Sequence, residues 1–373
     1  MQVDTVLIKV ASRCNINCSY CYVYHLGDMN WSRIDKLIST ETMKNIVSSL
    51  KCLADNQRRR FSTVLHGGEP LMLGALGLHQ FLVLLRSILP NSYPISVQTN
   101  GLLITSEILN VCSEFRTSLA VSIDGPARIN DRARLDHKNL STFDRVITGI
   151  AQLEAHPDTD FLYAGLLAVV DPATDPAEIY GFFKDLNPPS VDFLYKDGNH
   201  SCLPPGKTSI DSTEYGSWMV QLLDLYLNDP APIPIRVFDD MLKLLIGGGA
   251  TKEGIGLSDF GILIFDTDGA ITKNDTLKSA YEGADKFTIN WKAGETNILD
   301  LLDSEEYRHY HNLQKPTSPI CLRCPEMQVC GGGMTVHRWK DDSGYENPSV
   351  YCADQLLLIS AMRSRLRQLG LAA

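Results

Sequence analysis

Over its first 200 residues the chain alternates short, β-branched apolar runs with amphipathic stretches, and this alternation limits the possible fold more than any other feature. VLIKV (6–10), STVLHGG (62–68), ISVQTN (95–100), LAVSIDG (119–125), FLYAGLLAVV (161–170) and VDFLYKDG (191–198) read as strands. Several run apolar throughout, as strands buried on both faces do. Helical stretches at 40–55, 76–89, 105–115, 142–155 and 175–186 lie between them, the first opened by the capping signal STET and the last by DPAE. Repeated strand–helix units impose parallel strands and right-handed crossovers. About six units, fewer than the eight of a closed barrel, predict an α/β fold: a partial (β/α)6 TIM-like barrel, open on one side. HGGEP, QTNG, SIDGP and KDGNH follow four of the strands and would gather at the C-terminal rim, where such folds keep their chemistry.

After about residue 205 the pattern changes. Helical segments at 212–227 and 236–246 lead to GGG at 247–249, and ILIFDTDGAITKND reads as a hairpin turning at Asp268–Gly269. A cysteine-rich, strand-poor stretch (320–352) and a terminal helix (353–369) follow. The expected organisation is a barrel over 1–205, a helical bridging segment over 206–260 and a cysteine-rich region over 261–373.

Composition excludes several classes of function. The formal charge of −10 is spread along the chain, and RRR at 58–60 is the only basic cluster, so nucleic acid is not an expected partner. No apolar run reaches the ~18 residues of a membrane span, and MQVDTVLIKVAS lacks the marks of a signal peptide. A cytoplasmic protein is expected. Ten cysteines then argue for metal rather than disulfides. Seven fall in two clusters, and of the others Cys52 and Cys112 read as buried core thiols, while Cys202 lies in a loop where a hydrogen-donor role stays open.

Cys14, Cys18 and Cys21 are spaced C-x-x-x-C-x-x-C directly after the first strand. Three thiolates can hold three irons of a 4Fe–4S cube and leave the fourth open to a ligand. A zinc knuckle, or a fourth cysteine from elsewhere in the chain, is the alternative on spacing alone. With Tyr20 before the last cysteine, the motif resembles that of the radical S-adenosylmethionine (SAM) superfamily. The resemblance implies that SAM chelates the open iron and is cleaved to a 5′-deoxyadenosyl radical that abstracts hydrogen. It assigns Gly67, Gly68 and Glu69 of HGGEP to the SAM amino group, Ser122 of SIDGP to SAM, and Arg134 to the SAM carboxylate. Asn100 and Leu194 fit the ribose and adenine surroundings.

Cys321, Cys324, Cys330 and Cys352 could close a four-thiolate site, for which zinc is a rival on spacing alone. The arrangement resembles the SPASM extension of radical SAM enzymes that modify peptides and proteins, which implies an auxiliary 4Fe–4S cluster. Met334 and Asn274 stand where cysteines of a second, inner auxiliary cluster would be, so that cluster is expected to be absent. Asp275 matches the candidate base of the sulfatase-maturing relatives. HGGEPLMLG, VSIDGPARINDRARLD, NDTLKSAYEGA and CGGGMTVHRW, with its GGG-x-x-x-H-R pattern, together resemble the maturases of ribosomal peptides that build cyclophanes. That likeness implies a C–C crosslink from an aromatic ring carbon to a Cβ, with thioether formation, epimerisation or formylglycine formation as alternatives, and a non-catalytic iron–sulfur peptide-binding protein as a reading from another class. It also implies a ribosomal precursor peptide with a leader and flavodoxin or ferredoxin as reductant; no separate leader-binding domain is expected ahead of the motif, which begins at residue 14.

Overall fold

A computed structural model describes residues 2–27, 29–368 and 370. It resolves into two compact units: Met1–Ile123, Asn130–Gly165 and Phe260–His311 in one, Asp124–Ile129, Leu166–Asp259 and Asn312–Ala373 in the other. The fold class is that of a partial TIM-like (β/α)6 barrel, with parallel strands alternating with helices.

In the first unit β1 (Thr5–Ala11) lies between β2 (Ser62–Gly67) and β7 (Ile262–Phe265), parallel to both. β3 (Ile95–Thr99) pairs with β2, and β4 (Thr117–Ser122) pairs with β3, again in parallel. Helix α1 (Thr40–Asn56) starts where Ser39 Oγ accepts from Thr42 N at 3.0 Å, and buries Met43, Ile46, Val47, Leu50 and Leu53 at helical spacing. Helices α2 (Gly74–Arg86), α3 (Ser106–Glu114, capped by Thr105) and α4 (Phe143–Glu154) complete the alternation.

The strands differ from expectation in their burial. Ile8, Lys9, Val10 and Ala11 of β1 and all of β7 are buried. β2, β3 and β4 instead alternate buried and half-buried positions, and the half-buried set carries His66, Gln98 and Ser122. One face of these strands therefore packs a core and the other presents polar groups. The hairpin turns where expected: Gly269 takes φ +86°, and β7 pairs antiparallel with β8 (Ile271–Thr272). It joins the sheet of the first unit at the free edge of β1.

In the second unit β5 (Tyr163–Val169) pairs in parallel with β6 (Val191–Leu194) from Leu166 onwards. Helix α5 (Pro176–Leu186) is capped by Asp175, whose side chain accepts from Ala177 N at 2.9 Å. Helices α6 (Glu214–Asn228), α7 (Arg236–Leu245) and α8 (Cys352–Gln368) follow. Among the described residues no helix is long and apolar enough to cross a membrane.

One buried ion pair fastens this unit. Lys207 Nζ donates to Asp354 Oδ2 at 2.6 Å with both side chains fully buried, and Asp354 Oδ1 accepts from Gly216 N at 2.7 Å. Removing one partner strands the other charge away from water, which costs about 3–5 kcal/mol. Lys207→Met should therefore lower the urea midpoint sharply, and Lys207→Met combined with Asp354→Leu should recover part of the loss. A single variant as stable as the parent would contradict the pair's role.

Candidate active site and metal centres

β1 runs straight into the cysteine loop, which is pinned at several points. Asn17 N donates to Leu135 O at 2.8 Å and Ser19 N to Ala133 O at 3.0 Å, so the loop lies along residues 133–137 as a short ladder. Arg134 Nη1 donates to Tyr20 Oη at 2.8 Å, and a ring nitrogen of His137 meets Cys14 O at 2.9 Å. Cys21 opens a single helical turn, Tyr22–His25, with His25 N bonded to Cys21 O at 2.9 Å. Tyr24 bonds Ser12 O through its hydroxyl and meets Trp31 edge-on, with the Arg13 guanidinium over the indole. Burial pushes the Cys14 thiol up to about 12 and the Cys21 thiol up to about 11, with Cys18 and Cys21 adding to the rise at Cys14 and Cys18 to that at Cys21.

The end of β2 packs on this loop at backbone distance. Gly68 N donates to Ala11 O at 2.8 Å and Glu69 N to Arg13 O at 3.0 Å. At Gly67 the backbone takes φ +122° and a Cβ would lie 2.1 Å from Ala11 O; at Gly68 it would lie 2.2 Å from Arg13 O. Both glycines thus serve close approach of two strand ends. Glu69, fully buried, accepts from Leu71 N (2.9 Å), Thr99 Oγ1 (2.6 Å) and Asn100 N (2.8 Å). Burial pushes its carboxyl upward, against those hydrogen bonds and the charge of Arg134. Three of roughly four acceptor positions are filled, which leaves one for a cationic ligand. Asn100 extends the chain of contacts: its Nδ2 donates to Asn15 Oδ1 at 2.7 Å and lies 3.6 Å from Cys14 Sγ.

Of the remaining expected residues in the first unit, Ser122 accepts from Gln98 Nε2 at 2.9 Å at the end of β4. Asp275 is 2% exposed; one oxygen accepts from Lys9 Nζ at 2.8 Å and the other, Oδ2, has no hydrogen-bond partner among the described residues. Lys9 also pairs with Asp266 at 3.3 Å. Burial works against the charge on Lys9, but Asp275 and Asp266 outweigh it and hold the ammonium well above its usual range. His66, opposite Lys9 in the β1–β2 register, is pushed down to about 4 by burial, with Asp275 opposing and Lys9 assisting, so its ring is neutral at pH 7. Asn274 works as a local cap, its Oδ1 accepting from Thr276 N at 3.1 Å.

The second unit gathers the other four cysteines. Cys321 sits in a turn capped by Ser318, Cys324 N bonds Cys321 O at 3.0 Å, and Cys330 ends the turn Met327–Cys330. Gly331, Gly332 and Gly333 all take positive φ (65°, 82° and 67°), a run that residues with a Cβ rarely adopt, and they reverse the chain into the turn Thr335–Arg338. Cys352 opens α8. Burial raises Cys330 to about 12 and Cys352 to about 11, and each feels the charge of other cysteines in the set. Met334 packs against Gly254, where a Cβ would meet its Cγ at 2.9 Å. Leu194, half-buried, ends β6, and its carbonyl accepts from Val170 N at 2.8 Å.

These donors fit polynuclear metal–sulfur groups. Among the described residues no three His, Cys, Asp or Glu side chains stand close enough to share one ion. The thiols of each set nevertheless sense one another's charge, as donors to separate corners of one cluster would. Buried thiols that resist ionisation alone become thiolates once a cationic metal group binds. None of the ten cysteines is in a disulfide among the described residues.

Parallel strands that end in a three-thiol loop and a buried carboxylate with an acceptor position to spare are an arrangement suited to an α/β enzyme with a metal–sulfur group and a small cationic ligand at its strand ends. Residues 8–163 match the Radical SAM superfamily. The chain is 26% identical over 367 residues to the cysteine-type anaerobic sulfatase-maturating enzyme of Clostridium perfringens, covering 93% of both chains. It is 23% identical to the serine-type enzyme of Bacteroides thetaiotaomicron, over 90% of this chain and 83% of that one. In fold it is similar to native anSMEcpe with bound AdoMet (TM-score 0.82, 20% identity, 98% and 99% of the two chains). A more distant likeness is to Streptococcus suis SuiB bound to the precursor peptide SuiA (TM-score 0.65, 14% identity, 94% and 76%). Residues 8–163 thus carry a radical SAM domain, which works with S-adenosylmethionine and a 4Fe–4S cluster, and along nearly its whole length the chain is similar to sulfatase-maturating enzymes. The likeness to cyclophane-forming maturases finds no support here, since the two relatives similar in sequence are sulfatase-maturating enzymes.

Cys112 is buried as expected, but Cys52 is half-buried on α1, its thiol 3.9 Å from Asn297 Oδ1, because the helix face it occupies is only partly covered. Sequence reading passed over Lys9 and His66, although a lysine inside VLIKV and a histidine ending VLH are both signals: charge in an apolar strand needs partners. Nothing in the sequence marked Asn15 or Thr99. Gly67→Ala should cost about 1–3 kcal/mol from backbone strain alone, with further loss from the contact at Ala11, read as a lower melting midpoint and reduced iron loading. A variant unchanged in both would contradict the close-approach account.

Proposed function

We propose that this enzyme oxidises a side-chain Cβ in a peptide or protein substrate, as the sulfatase-maturating relatives do in forming formylglycine. Cys14, Cys18 and Cys21 would hold the cluster that binds SAM, with Glu69, Asn100, Ser122 and Arg134 around it, while Cys321, Cys324, Cys330 and Cys352 would hold an auxiliary cluster. When bound, these groups supply removal of one hydrogen atom and one electron from the substrate. A flavodoxin or ferredoxin of the cytoplasm would provide the reductant.

The observation that carries the reading is the state of Asp275. One oxygen is fixed by Lys9 and the other is buried without a partner among the described residues, the arrangement of a base held ready for a proton. Asp275 takes the proton that leaves the substrate heteroatom as the Cβ becomes a carbonyl-type carbon. Lys9 orients the carboxylate, and neutral His66 is available to hydrogen-bond the substrate.

A second reading, a cyclophane crosslink in a leader-bearing precursor peptide, is favoured by one specific feature. Asn274 caps a turn and Met334 packs on Gly254, so neither position offers the thiolate of an inner cluster. In that case Asp275 accepts the aromatic ring proton instead.

Anaerobic reaction with SAM, dithionite and either a sulfatase-motif peptide bearing Cys or Ser or the peptide encoded beside the gene separates the readings. Formylglycine formation gives a product that a hydrazine reagent captures, with matching 5′-deoxyadenosine. A crosslink gives loss of two hydrogens with no capture. SAM cleavage with every peptide unchanged would overturn both. Asp275→Asn should reduce product about 10²-fold or more while 5′-deoxyadenosine still forms; equal loss of both would contradict its role as base.

A further inference from the structure

Arg338, the last residue of the GGG-x-x-x-H-R pattern, has no part in the chemistry described above. It is 1% exposed and among the largest fully buried side chains of the molecule. Its Nη2 donates to the backbone carbonyls of Leu313 and of Gln314 (3.2 Å) and to Thr335 Oγ1 (3.2 Å), all of them neutral acceptors. Among the described residues its Nε has no hydrogen-bond partner and no carboxylate lies within ion-pairing distance of it. Three buried lysines, by contrast, each have an acid: Lys9 has Asp275 and Asp266, Lys207 has Asp354, Lys278 has Asp285.

A guanidinium keeps its charge under nearly all conditions, and a buried charge without a counter-charge is strongly disfavoured. Burial accordingly pulls Arg338 down to about 10, and the groups that oppose the pull are Cys321, Tyr345 and Cys330. The carbonyls that Arg338 grips belong to the segment that leads into the Cys321 turn, and the glycine run that precedes Arg338 begins directly after Cys330. The three left-handed glycines before the turn deliver Arg338 to this place.

We propose that Arg338 is the built-in counter-charge of the four-cysteine site and sets how readily the group bound there takes up an electron. The inference rests on reading Cys321, Cys324, Cys330 and Cys352 as ligands of an auxiliary 4Fe–4S cluster. Four thiolates give such a cluster a net negative charge that grows on reduction, so a fixed cation beside it favours the reduced form and raises the potential. Arg338 is a positioning residue: it touches no substrate and acts through the cluster.

The test uses the full chain with Cys14, Cys18 and Cys21 all changed to Ala, so that iron loads only at the four-cysteine site. The midpoint potential is read by EPR-monitored redox titration, alone and with Arg338→Gln or Arg338→Lys added. Arg338→Gln should lower the reduced-to-oxidised ratio at a fixed potential by about tenfold, equivalent to a downward shift of about 59 mV for a one-electron couple. Arg338→Lys keeps the charge but loses the fork that grips the 313–314 carbonyls, and it should load iron and stay near the parent potential. An Arg338→Gln protein that loads fully with an unshifted potential would overturn the proposal. If Arg338→Gln fails to load, the lysine variant decides: loading at the parent potential supports the counter-charge, and failure to load shows a brace for the loop instead. Absence of iron from the Cys14, Cys18, Cys21 triple variant itself would overturn the reading of the four-cysteine site, and the proposal with it.

Discussion

The site of the first unit depends on how closely the end of β2 approaches the chain leaving β1. Two hydrogen bonds, Gly68 N to Ala11 O at 2.8 Å and Glu69 N to Arg13 O at 3.0 Å, form only because neither Gly67 nor Gly68 carries a Cβ. Once that approach is made, Glu69 is carried into the interior, where it accepts from Thr99 and Asn100 at the end of β3 and from Leu71 in its own turn. Asn100, fixed in turn, points its amide at Asn15 and the Cys14 sulfur. A backbone contact between strand ends thereby sets the position of a carboxylate, an amide and a thiol.

Both units bury charge, and they neutralise it differently. Beside β1, Lys9 is shared by two aspartates, so the group is complete without a ligand, and the spare oxygen of Asp275 is left for a proton. In the second unit Lys207 has Asp354, but Arg338 has carbonyls and a hydroxyl and, among the described residues, no carboxylate partner. The first arrangement holds a base in place. The second is electrically complete only when the cysteines are thiolates.

Much of the fold could be read from the sequence because parallel strands leave strong local marks. Runs such as VLIKV and ISVQT, and caps such as Ser39 and Asp175, fix element type and boundary within a few residues, and the turn at Asp268–Gly269 marks its hairpin. What sequence could not reveal is pairing between distant segments. That β7 adds to β1, 257 positions apart at Thr5 and Ile262, depends on tertiary packing and leaves no local trace. The polar face of β2, β3 and β4 was hidden in a similar way, because single polar residues such as His66 and Gln98 within apolar runs look incidental until neighbouring strands align them. Of the candidate site, the cysteines stand out by their spacing and GGEP by the resemblance that it carries. Lys9 was not, because its partners Asp266 and Asp275 lie far along the chain.

The central claim is that Cys14, Cys18 and Cys21 hold a cluster with a position open to SAM, while the other four cysteines hold a closed one. EPR of the dithionite-reduced protein with and without SAM addresses it directly, in the parent, Cys14→Ala and Cys324→Ala proteins. SAM should change the spectrum of the parent and of Cys324→Ala, and leave that of Cys14→Ala unaltered. A SAM-dependent change that persists in Cys14→Ala, or is lost only in Cys324→Ala, would contradict the assignment of the open site.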